Sequence, residues 1–388
     1  MDVQRSDKIK MRVGIDARLL SKPMTGIGRY TAQMTKELVN KPGDFFLYSP
    51  AALPLENWQQ SNVTIRSANC HSRVAEMLWS QTIMPYWAAK DRLDVFWGTT
   101  HRLPRYLPDT VARVVTIHDL VWKHAGETMR PLSRLVEKRL MPEAVRLADQ
   151  IVADSESTAK DLEDEYPEAR QRIKVVYPGA PNLPAVQDPA VLVSMGVVRP
   201  YFLFVGTLEP RKNLRLLLSA YAQLDDAVRR QYQLVIAGGK GWGGIDIHQI
   251  IRDAALEEQV IVTGYVDDGV LATLYAHARF LAMPSLFEGF GLPILEAMSL
   301  GVPVLTSYNS SMPEVAGNAA VYVNPLDEFS ISNGLMALLV NKRNRNELAR
   351  RAILNARRFS WKTAGKDMWA TFEEARQFRN TDKPKNYS

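Results

Sequence analysis

The chain has 388 residues, 46% of them hydrophobic, and a formal net charge of +6. This length allows two domains of ordinary size, each with its own core, and so mild a charge argues neither for nor against nucleic acid binding. The single cysteine, Cys70, excludes an intrachain disulfide and a metal site built from several cysteines.

The N-terminal segment and the hydropathy pattern both bear on where the protein works. Six charged residues between Asp7 and Arg18 interrupt any signal-peptide core. No apolar run in the sequence approaches the roughly 18 residues that a membrane span requires. These features predict a cytosolic protein.

Short apolar, β-branched runs alternate with amphipathic stretches along the chain, which is typical of parallel strands crossed by helices. The same rhythm in both halves predicts an α/β fold with two doubly wound, Rossmann-like domains. The predicted strands are residues 11–18, 45–50, 94–100, 112–119, 150–155, 173–179, 201–207, 232–239, 260–266, 278–284, 302–307 and 319–325. The clearest predicted helices are residues 30–40, 142–148, 213–224, 268–278 and 293–301.

Composition marks the boundary between the two predicted domains. Five prolines fall between Tyr177 and Pro200, a stretch with little periodic pattern, which indicates a linker. The predicted units are an N-terminal domain (1–180), a linker (181–200), a C-terminal domain (201–358), a closing helix (359–378) and a disordered polar tail (379–388).

One part of the N-terminal domain combines basic and apolar residues. Between Arg92 and Arg146, ten Lys or Arg stand against six acids. Just upstream, the stretch MLWSQTIMPYWAAK interleaves aromatic and apolar residues. Such side chains usually pack into a core. The alternative is an amphipathic surface that binds anionic lipid.

Ligands of open α/β sheets bind beyond the carboxyl ends of the strands, so the loops that follow strands are the candidate sites. The first of these loops leads through Gly26 and Gly28 into a helix. Glycines let backbone amides approach a ligand, and a helix N-terminus attracts an anion. A dinucleotide fingerprint would place its glycines directly after the strand, which disfavours an NAD-dependent oxidoreductase.

A second loop carries Arg211 and Lys212 directly ahead of a helix whose expected N-cap is Asn213. The helix dipole disfavours cations at this end, so an anion such as a phosphate or diphosphate is expected beside them. The alternative is that both side chains lie in solvent.

The third loop, FEGFGLPILE, follows a predicted strand of the second domain. Gly289 and Gly291 permit a tight backbone, and Pro293 fits as the first helical residue, which places Glu296 in the first helical turn. There Glu296 serves either the helix dipole or the vicinal hydroxyls of a ribose. Glu288 has no such local role and is expected to touch ligand. Because it lies in a loop, its removal is expected to leave the fold intact.

His118 and Asp119 follow a strand of the N-terminal half. A histidine there is either structural or a ligand-contacting group at the interdomain cleft. The chain has no D-x-D triplet and no histidine pair with metal-ligand spacing, so no metal is expected. The absence of G-x-S-x-G and P-loop motifs disfavours hydrolase and P-loop functions.

Taken together, these motifs resemble a known family. TGIGRY, TIHD, GTLEPRKN, PSLFEGFGLPILEAMSLGVPV and PEVAGNAAVYVNP are similar to the motifs of the retaining nucleotide-sugar glycosyltransferases of family four, which have the GT-B fold. The resemblance runs from about Met11 to Arg376. Within the family, the chain most resembles the mannosyltransferases that build bacterial O-antigen and capsular chains.

The resemblance implies a role in donor binding for each motif residue. It implies that Glu296 binds the ribose hydroxyls and that Glu288 lies at the donor sugar, near the reacting centre. Arg211 and Lys212 would neutralise the diphosphate in place of a metal. The other implied contacts are the amides of Phe290, Gly291 and Leu292 with sugar hydroxyls, the amides of Gly26 and Gly28 with the donor, His118 with the donor sugar, and Tyr265 and Val266 with the base.

The implied reaction is transfer of mannose from GDP-mannose to a lipid-linked saccharide of the cell surface, with neither cofactor nor metal. The N-terminal domain would then be the acceptor side, and the closing helix would cross back onto it. The implied partners are the nucleotide sugar, the lipid-linked acceptor and the anionic inner membrane surface, touched peripherally from the cytoplasm, with no nucleic acid.

Several alternatives remain open. Related proteins use other donors, so dTDP-rhamnose, UDP-glucose and UDP-galactose are alternatives to GDP-mannose. A non-hydrolysing sugar-nucleotide epimerase can share the two-domain architecture. The third alternative is a catalytically silent subunit of a polysaccharide assembly complex.

Overall fold

The computed structural model describes residues 10–22, 24–180, 183–243 and 246–381. Within these ranges the chain forms two parallel sheets, each covered by helices on both faces. The strands are β1 (Met11–Asp16), β2 (Gly43–Ser49), β3 (Val63–Ser67), β4 (Val95–Gly98), β5 (Ala112–Ile117), β6 (Gln150–Ala153), β7 (Ile173–Val175), β8 (Tyr201–Val205), β9 (Gln233–Ala237), β10 (Val260–Gly264), β11 (Leu281–Met283), β12 (Val304–Ser307) and β13 (Ala320–Val323). The α-helices are α1 (Gly26–Leu38), α2 (Arg73–Gln81), α3 (Ile83–Lys90), α4 (Val121–His124), α5 (Pro131–Leu147), α6 (Glu156–Glu165), α7 (Ala190–Ser194), α8 (Leu214–Ala222), α9 (Asp226–Gln231), α10 (Ile247–Asp253), α11 (Asp268–His277), α12 (Leu292–Ser299), α13 (Met312–Ala316), α14 (Glu328–Val340), α15 (Lys342–Ala356) and α16 (Trp361–Thr381).

The N-terminal sheet has the strand order β3-β2-β1-β4-β5-β6-β7, and all its strand pairs are parallel. Helices α1 and α16 cover one face, and α2, α3, α5 and α6 cover the other. Strands β4 and β5 are therefore buried along their whole length, which explains their mostly apolar sequence. The strand order reverses between β1 and β4, so the loops after these strands diverge and form a crevice.

The C-terminal sheet repeats this plan with the order β10-β9-β8-β11-β12-β13, again all parallel. Its order reverses between β8 and β11, and both strands are fully buried. The loops that follow β8 and β11 are the two that carry the predicted cations and the predicted carboxylate. The sheet order therefore brings these two loops to one crevice.

The predicted α/β class and all twelve predicted strands are confirmed. The sequence pattern misses β3, an edge strand that pairs with β2 from Phe45–Val63 to Ser49–Ser67. Every residue of β3 is half-buried or exposed, so its apolar signal is limited to two residues, Val63 and Ile65.

The stretch MLWSQTIMPYWAAK divides between its two interpretations. Trp79 and Met84 are buried in the N-terminal core. Met77, Leu78 and Tyr86 are 58%, 58% and 63% exposed. The segment is thus partly core and partly an outward apolar face.

Helix α16 packs against α1 and β5, so the C-terminal segment lies on the N-terminal domain. Arg379 donates to the carbonyl of Asp109 (3.0 Å) and pairs with Asp149 (3.2 Å), which holds the last helical turn as far as Thr381. The tail predicted from residue 379 therefore starts inside α16, and residues 382–388 lie outside the described ranges. Among the described helices, none is long and apolar enough to cross a membrane.

Candidate active site

The two domains touch where the strand-end loops of one meet those of the other. Ser155, which precedes α6, donates from its hydroxyl to the carbonyl of Gly289, at 2.7 Å. A Cβ atom on Gly289 would lie 1.9 Å from the carbonyl oxygen of His118, so only glycine fits. Gly289 therefore permits the close approach of the domains, whereas Gly291, with φ of +95°, supplies the left-handed turn ahead of α12.

Three charged side chains meet in the crevice of the C-terminal sheet. Arg211 and Lys212 lie in a 3₁₀ turn, Pro210–Lys212, after β8, and Glu288 lies in the loop after β11. Arg211 Nη1 is 2.7 Å from Glu288 Oε2, and Lys212 Nζ is 2.7 Å from Glu288 Oε1. Glu288 is only 5% exposed and Lys212 8%. The interpretation that both cations lie in solvent is therefore wrong.

The ion pairs decide the charge of the carboxylate. Burial raises the pKa of Glu288, but Arg211 and Lys212 outweigh that effect and lower the pKa to about 2. Burial also lowers the pKa of Lys212, with Glu288 acting in the opposite direction. Glu288 is thus a fixed anion at neutral pH, placed against two cations.

Asn213 directly precedes α8, as expected, but its side chain does not cap that helix. With φ of +59° the residue is left-handed, and its Nδ2 donates to the carbonyls of Pro284 (3.0 Å) and Pro325 (2.6 Å). These two prolines follow β11 and β13. Asn213 therefore fastens the cation loop to the loop that carries Glu288.

Glu296 is buried and lies deeper in its helix than predicted. Because α12 begins at Leu292, Glu296 is the fifth helical residue, and the first turn holds no acid. The helix-dipole interpretation is therefore not supported. The Tyr275 hydroxyl donates to the Glu296 carboxylate at 2.7 Å. Burial raises the pKa of Glu296, with Tyr275 and Arg29 acting in the opposite direction.

The loop between Glu288 and α12 carries free backbone donors. Within the described ranges, the N–H groups of Phe290, Gly291 and Leu292 donate to no protein acceptor. Gly26, at the start of α1, faces them from the other domain, since a Cβ there would lie 3.9 Å from Leu292 Cδ1. The Gly28 N–H, in contrast, already donates to the Thr25 hydroxyl (3.3 Å), which caps α1.

The His118 ring is buried inside the N-terminal domain. Its Nδ1 contacts the Asp154 carboxylate, and its Nε2 lies 2.9 Å from the Thr99 carbonyl. Burial lowers the pKa of His118, but Asp154 more than compensates, so the pKa is raised. The backbone N–H of His118 donates to His101 Nε2 at 2.9 Å. A hydrogen bond between a ring nitrogen and a donor sugar would require one of the two existing ring hydrogen bonds to break.

Residues beyond the predicted set also lie near the interface. Arg29 of α1 pairs with Asp268 of α11 across the domains. Asp154 follows β6, and the strand-end rule that singled out His118 would have found it. Tyr275 lies inside α11, where no sequence signal marks it.

The two residues predicted to border the base differ in exposure. Tyr265, which follows β10, is 64% exposed, and Val266 packs on the C-terminal core.

The described residues contain no group of three or more His, Cys, Asp or Glu side chains arranged to hold a metal ion. Two facing doubly wound domains, with the last helix of the second half packed on the first, define the GT-B fold, which one class of glycosyltransferases has. Sucrose-phosphate synthase from Thermosynechococcus elongatus has the same fold, with a TM-score of 0.74 at 17% identity, over 94% of this chain and 98% of that one.

Sequence comparison places the chain within this class. Residues 24–181 match Glycosyltransferase Family 4, and residues 197–359 match Glycosyl transferases group 1. The O-antigen chain mannosyltransferase B of Escherichia coli is 32% identical in an alignment of 359 residues that covers 87% of this chain and 93% of that one. The O-antigen chain mannosyltransferase RfbU of Salmonella typhimurium is 26% identical over 264 residues, 67% of this chain and 70% of that one. The chain therefore belongs to the glycosyltransferases that join a family 4 domain to a group 1 domain.

Proposed function

We propose that this glycosyltransferase transfers mannose from GDP-mannose, with retention of configuration, to a lipid-linked saccharide in cell-surface polysaccharide biosynthesis. The observation that carries the proposal is the contact of Glu288 with Arg211 and Lys212 in the crevice of the C-terminal sheet. Similarity to the two O-antigen mannosyltransferases supports the choice of mannose and of the pathway.

The donor diphosphate binds the two cations in this proposal. Arg211 offers a planar, bidentate donor set and Lys212 a point charge, so together they neutralise the leaving group without a metal. The diphosphate must then displace Glu288 from at least one of its partners. The released carboxylate faces the sugar, and the free N–H groups of residues 290–292 hold the sugar hydroxyls.

The other end of the donor lies toward α12 and α11. Glu296 accepts hydrogen bonds from the ribose hydroxyls. These hydroxyls either displace the Tyr275 hydroxyl from the carboxylate or share the carboxylate with it. Tyr265 and Val266 border the base, and the Gly26 amide approaches from the N-terminal domain. Gly28 contributes by shaping the first turn of α1, since its own N–H is already used.

Breaking the glycosyl phosphate bond develops negative charge on the diphosphate and positive charge on the sugar. Arg211 and Lys212 stabilise the first of these charges, and the ionised Glu288 stabilises the second. In the proposed same-face displacement, the leaving phosphate accepts the proton of the acceptor hydroxyl. Glu288 therefore positions and stabilises the sugar and does not form a covalent intermediate with it.

Incubating the purified protein with GDP-mannose, UDP-glucose or dTDP-rhamnose and a lipid-linked saccharide acceptor tests the proposal. The expected result is acceptor-dependent release of GDP from GDP-mannose and a product extended by one α-mannose. Turnover of another donor in place of GDP-mannose would show that the transferred sugar is not mannose. Turnover without acceptor would favour the epimerase. No turnover of any sugar nucleotide would favour the silent subunit.

We also propose that the N-terminal domain binds an anionic membrane surface through one face, formed by α2, α5 and the loop at residues 102–106. This α2–α5 face is continuous, because the Arg105 N–H donates to Gln81 of α2 (2.9 Å) and the Arg105 guanidinium pairs with Glu143 of α5. Its exposed apolar side chains are Met77, Leu78, Tyr106, Leu132 and Leu135. Its exposed basic side chains are Arg73, Arg105, Arg134, Lys138 and Arg139.

Apolar and basic side chains on one face match a bilayer with anionic headgroups. Lys22, in the loop that follows β1, pairs with Glu76 of α2 at 2.6 Å, so the α2 end of the face lies beside a loop of the crevice. A lipid-linked acceptor held in that bilayer would therefore reach the donor sugar.

Leu135→Glu is expected to weaken binding to phosphatidylglycerol-containing vesicles about tenfold, because it adds a charge of the wrong sign to the apolar part of the face. Vesicle co-sedimentation measures the effect, and binding of the unmodified protein should fall with added salt. Leu354→Glu, at a leucine of α15 with 63% exposure against 61% for Leu135, is the matched control. Equal binding of the two variants would overturn the assignment of this face.

A further inference from the structure

Glu314 of the C-terminal domain reaches across the interface to the N-terminus of α6. Its Oε1 accepts the Glu156 N–H at 2.7 Å, and its Oε2 accepts the Ser157 N–H at 3.1 Å. Glu314 belongs to the PEVAG motif at α13. A residue of one domain thus binds the first turn of a helix in the other.

This contact satisfies backbone donors that a helix leaves unpaired at its start. The carboxylate also lies at the positive end of the α6 dipole. The neighbouring donors of the same turn are used as well, since the Thr158 N–H binds the Ser155 hydroxyl at 3.0 Å. The hydroxyls of Ser155 and Thr158 in turn donate to the Gly289 carbonyl, at 2.7 and 3.2 Å.

The backbone around Glu314 is held in place from its own domain. Asn355 Nδ2 donates to the Val315 carbonyl at 2.7 Å, and Arg358 Nη1 donates to the Glu314 carbonyl at 3.4 Å. These contacts fix the short helix α13 on the end of α15. Burial and the nearby Glu314 carboxylate both raise the pKa of Tyr177, so this phenol stays protonated beside it.

The turn that Glu314 holds connects two parts of the candidate site. Directly before it lies Asp154, the partner of His118, and directly against it lies Gly289, the neighbour of Glu288. A shift of α6 would therefore move the N-terminal edge of the site away from the carboxylate loop.

We propose that Glu314 is a positioning residue, which sets the two domains in the arrangement needed for transfer by binding the start of α6. It touches no reacting atom. The kinetic consequence rests on the proposed transferase function, whereas the contact itself does not.

Three measurements on Glu314→Ala test this role. Amide hydrogen exchange at Glu156 and Ser157 should accelerate at least about tenfold, because both groups lose their acceptor. The radius of gyration from small-angle X-ray scattering should increase as the domains separate. The kcat/KM for the donor should fall about tenfold. A lost helix cap shifts an equilibrium by about that factor, and here the equilibrium is between the domain arrangement needed for transfer and other arrangements. Glu314→Gln keeps one acceptor oxygen and should restore part of each effect.

Asp246→Ala is the matched control. Asp246 caps α10 through the Gln249 N–H (3.0 Å), entirely within the C-terminal domain, so its loss should leave N-terminal exchange, scattering and kinetics unchanged. Unchanged exchange at Glu156 and Ser157 in Glu314→Ala would overturn the contact. Faster exchange with an unchanged radius of gyration would overturn the positioning role. If the unmodified protein turned over no donor, the proposed function would fail, while exchange and scattering would still decide the role of Glu314.

Discussion

Replacing Glu288 by glutamine is expected to lower turnover about 100- to 1,000-fold, because the variant loses the charge that stabilises the sugar in the transition state. Binding of the nucleoside diphosphate should behave in the opposite way. Glu288 competes with the diphosphate for Arg211 and Lys212, so a neutral side chain makes both cations easier to occupy. We expect the dissociation constant for GDP, measured by calorimetry, to fall severalfold.

The same substitution should also destabilise the free protein, although the loss of this loop carboxylate is still expected to leave the fold intact. Glu288 is buried between two cations, and removing one partner of a buried pair costs about 3–5 kcal/mol when nothing replaces it. Glutamine keeps the shape and one acceptor, so a loss of about 1–3 kcal/mol is expected. Saturating GDP should raise the melting temperature of the variant more than that of the unmodified protein.

The pH dependence of stability provides an independent check. The folded pKa of Glu288 is lowered to about 2, from an ordinary value of 4.5. Its stabilising contribution is therefore complete above pH 4.5 and is lost as the pH falls toward 2. Glu288→Gln should lack this part of the acid dependence. Glu328→Gln, at a carboxylate that accepts a hydrogen bond from Ser219 in the same domain, is the control. A Glu288→Gln enzyme with normal turnover would contradict the assigned role.

The strand-end loops of this site could be predicted because they depend on local sequence. Apolar runs set the ends of β8 and β11, and the polar residues after them are then candidates under a general rule for α/β sheets. The rule located Arg211, Lys212 and Glu288 without knowledge of the strand order. Asp154 also directly follows a strand, β6, so the same rule could have predicted it.

Contacts that depend on the strand order could not be predicted. Glu288 lies 76 residues after Lys212, and only the adjacency of β8 and β11 brings it to the two cations. Asn213 has the residue type of a helix cap, yet two carbonyls from distant loops compete successfully for its side chain. Gly289 suggested a turn, whereas its actual constraint is the His118 carbonyl of the other domain.

Replacing Arg211 by alanine is expected to weaken nucleoside diphosphate binding about 10- to 100-fold and to lower kcat/KM by at least as much, because a charge-assisted, bidentate contact with the leaving group is lost. The residue also donates to the Phe287 carbonyl at 2.6 Å, so part of the loop is released with it. Lys212 would remain paired with Glu288 and would not compensate. Calorimetry with GDP and with GMP separates the two contributions, since the loss should be larger for the diphosphate.

Arg211→Lys distinguishes geometry from charge. If the guanidinium binds the diphosphate through two parallel hydrogen bonds, lysine should restore only a minor part of the affinity and of kcat/KM. Arg215→Ala, at an exposed arginine one turn further along the same segment, controls for the general loss of positive charge and should behave like the unmodified protein. Equal affinity losses in the Arg211 and Arg215 variants would mean that only long-range charge acts there. Unchanged affinity for GDP in Arg211→Ala would remove the diphosphate from this loop, and Glu288 would then be paired with Arg211 for structural reasons alone.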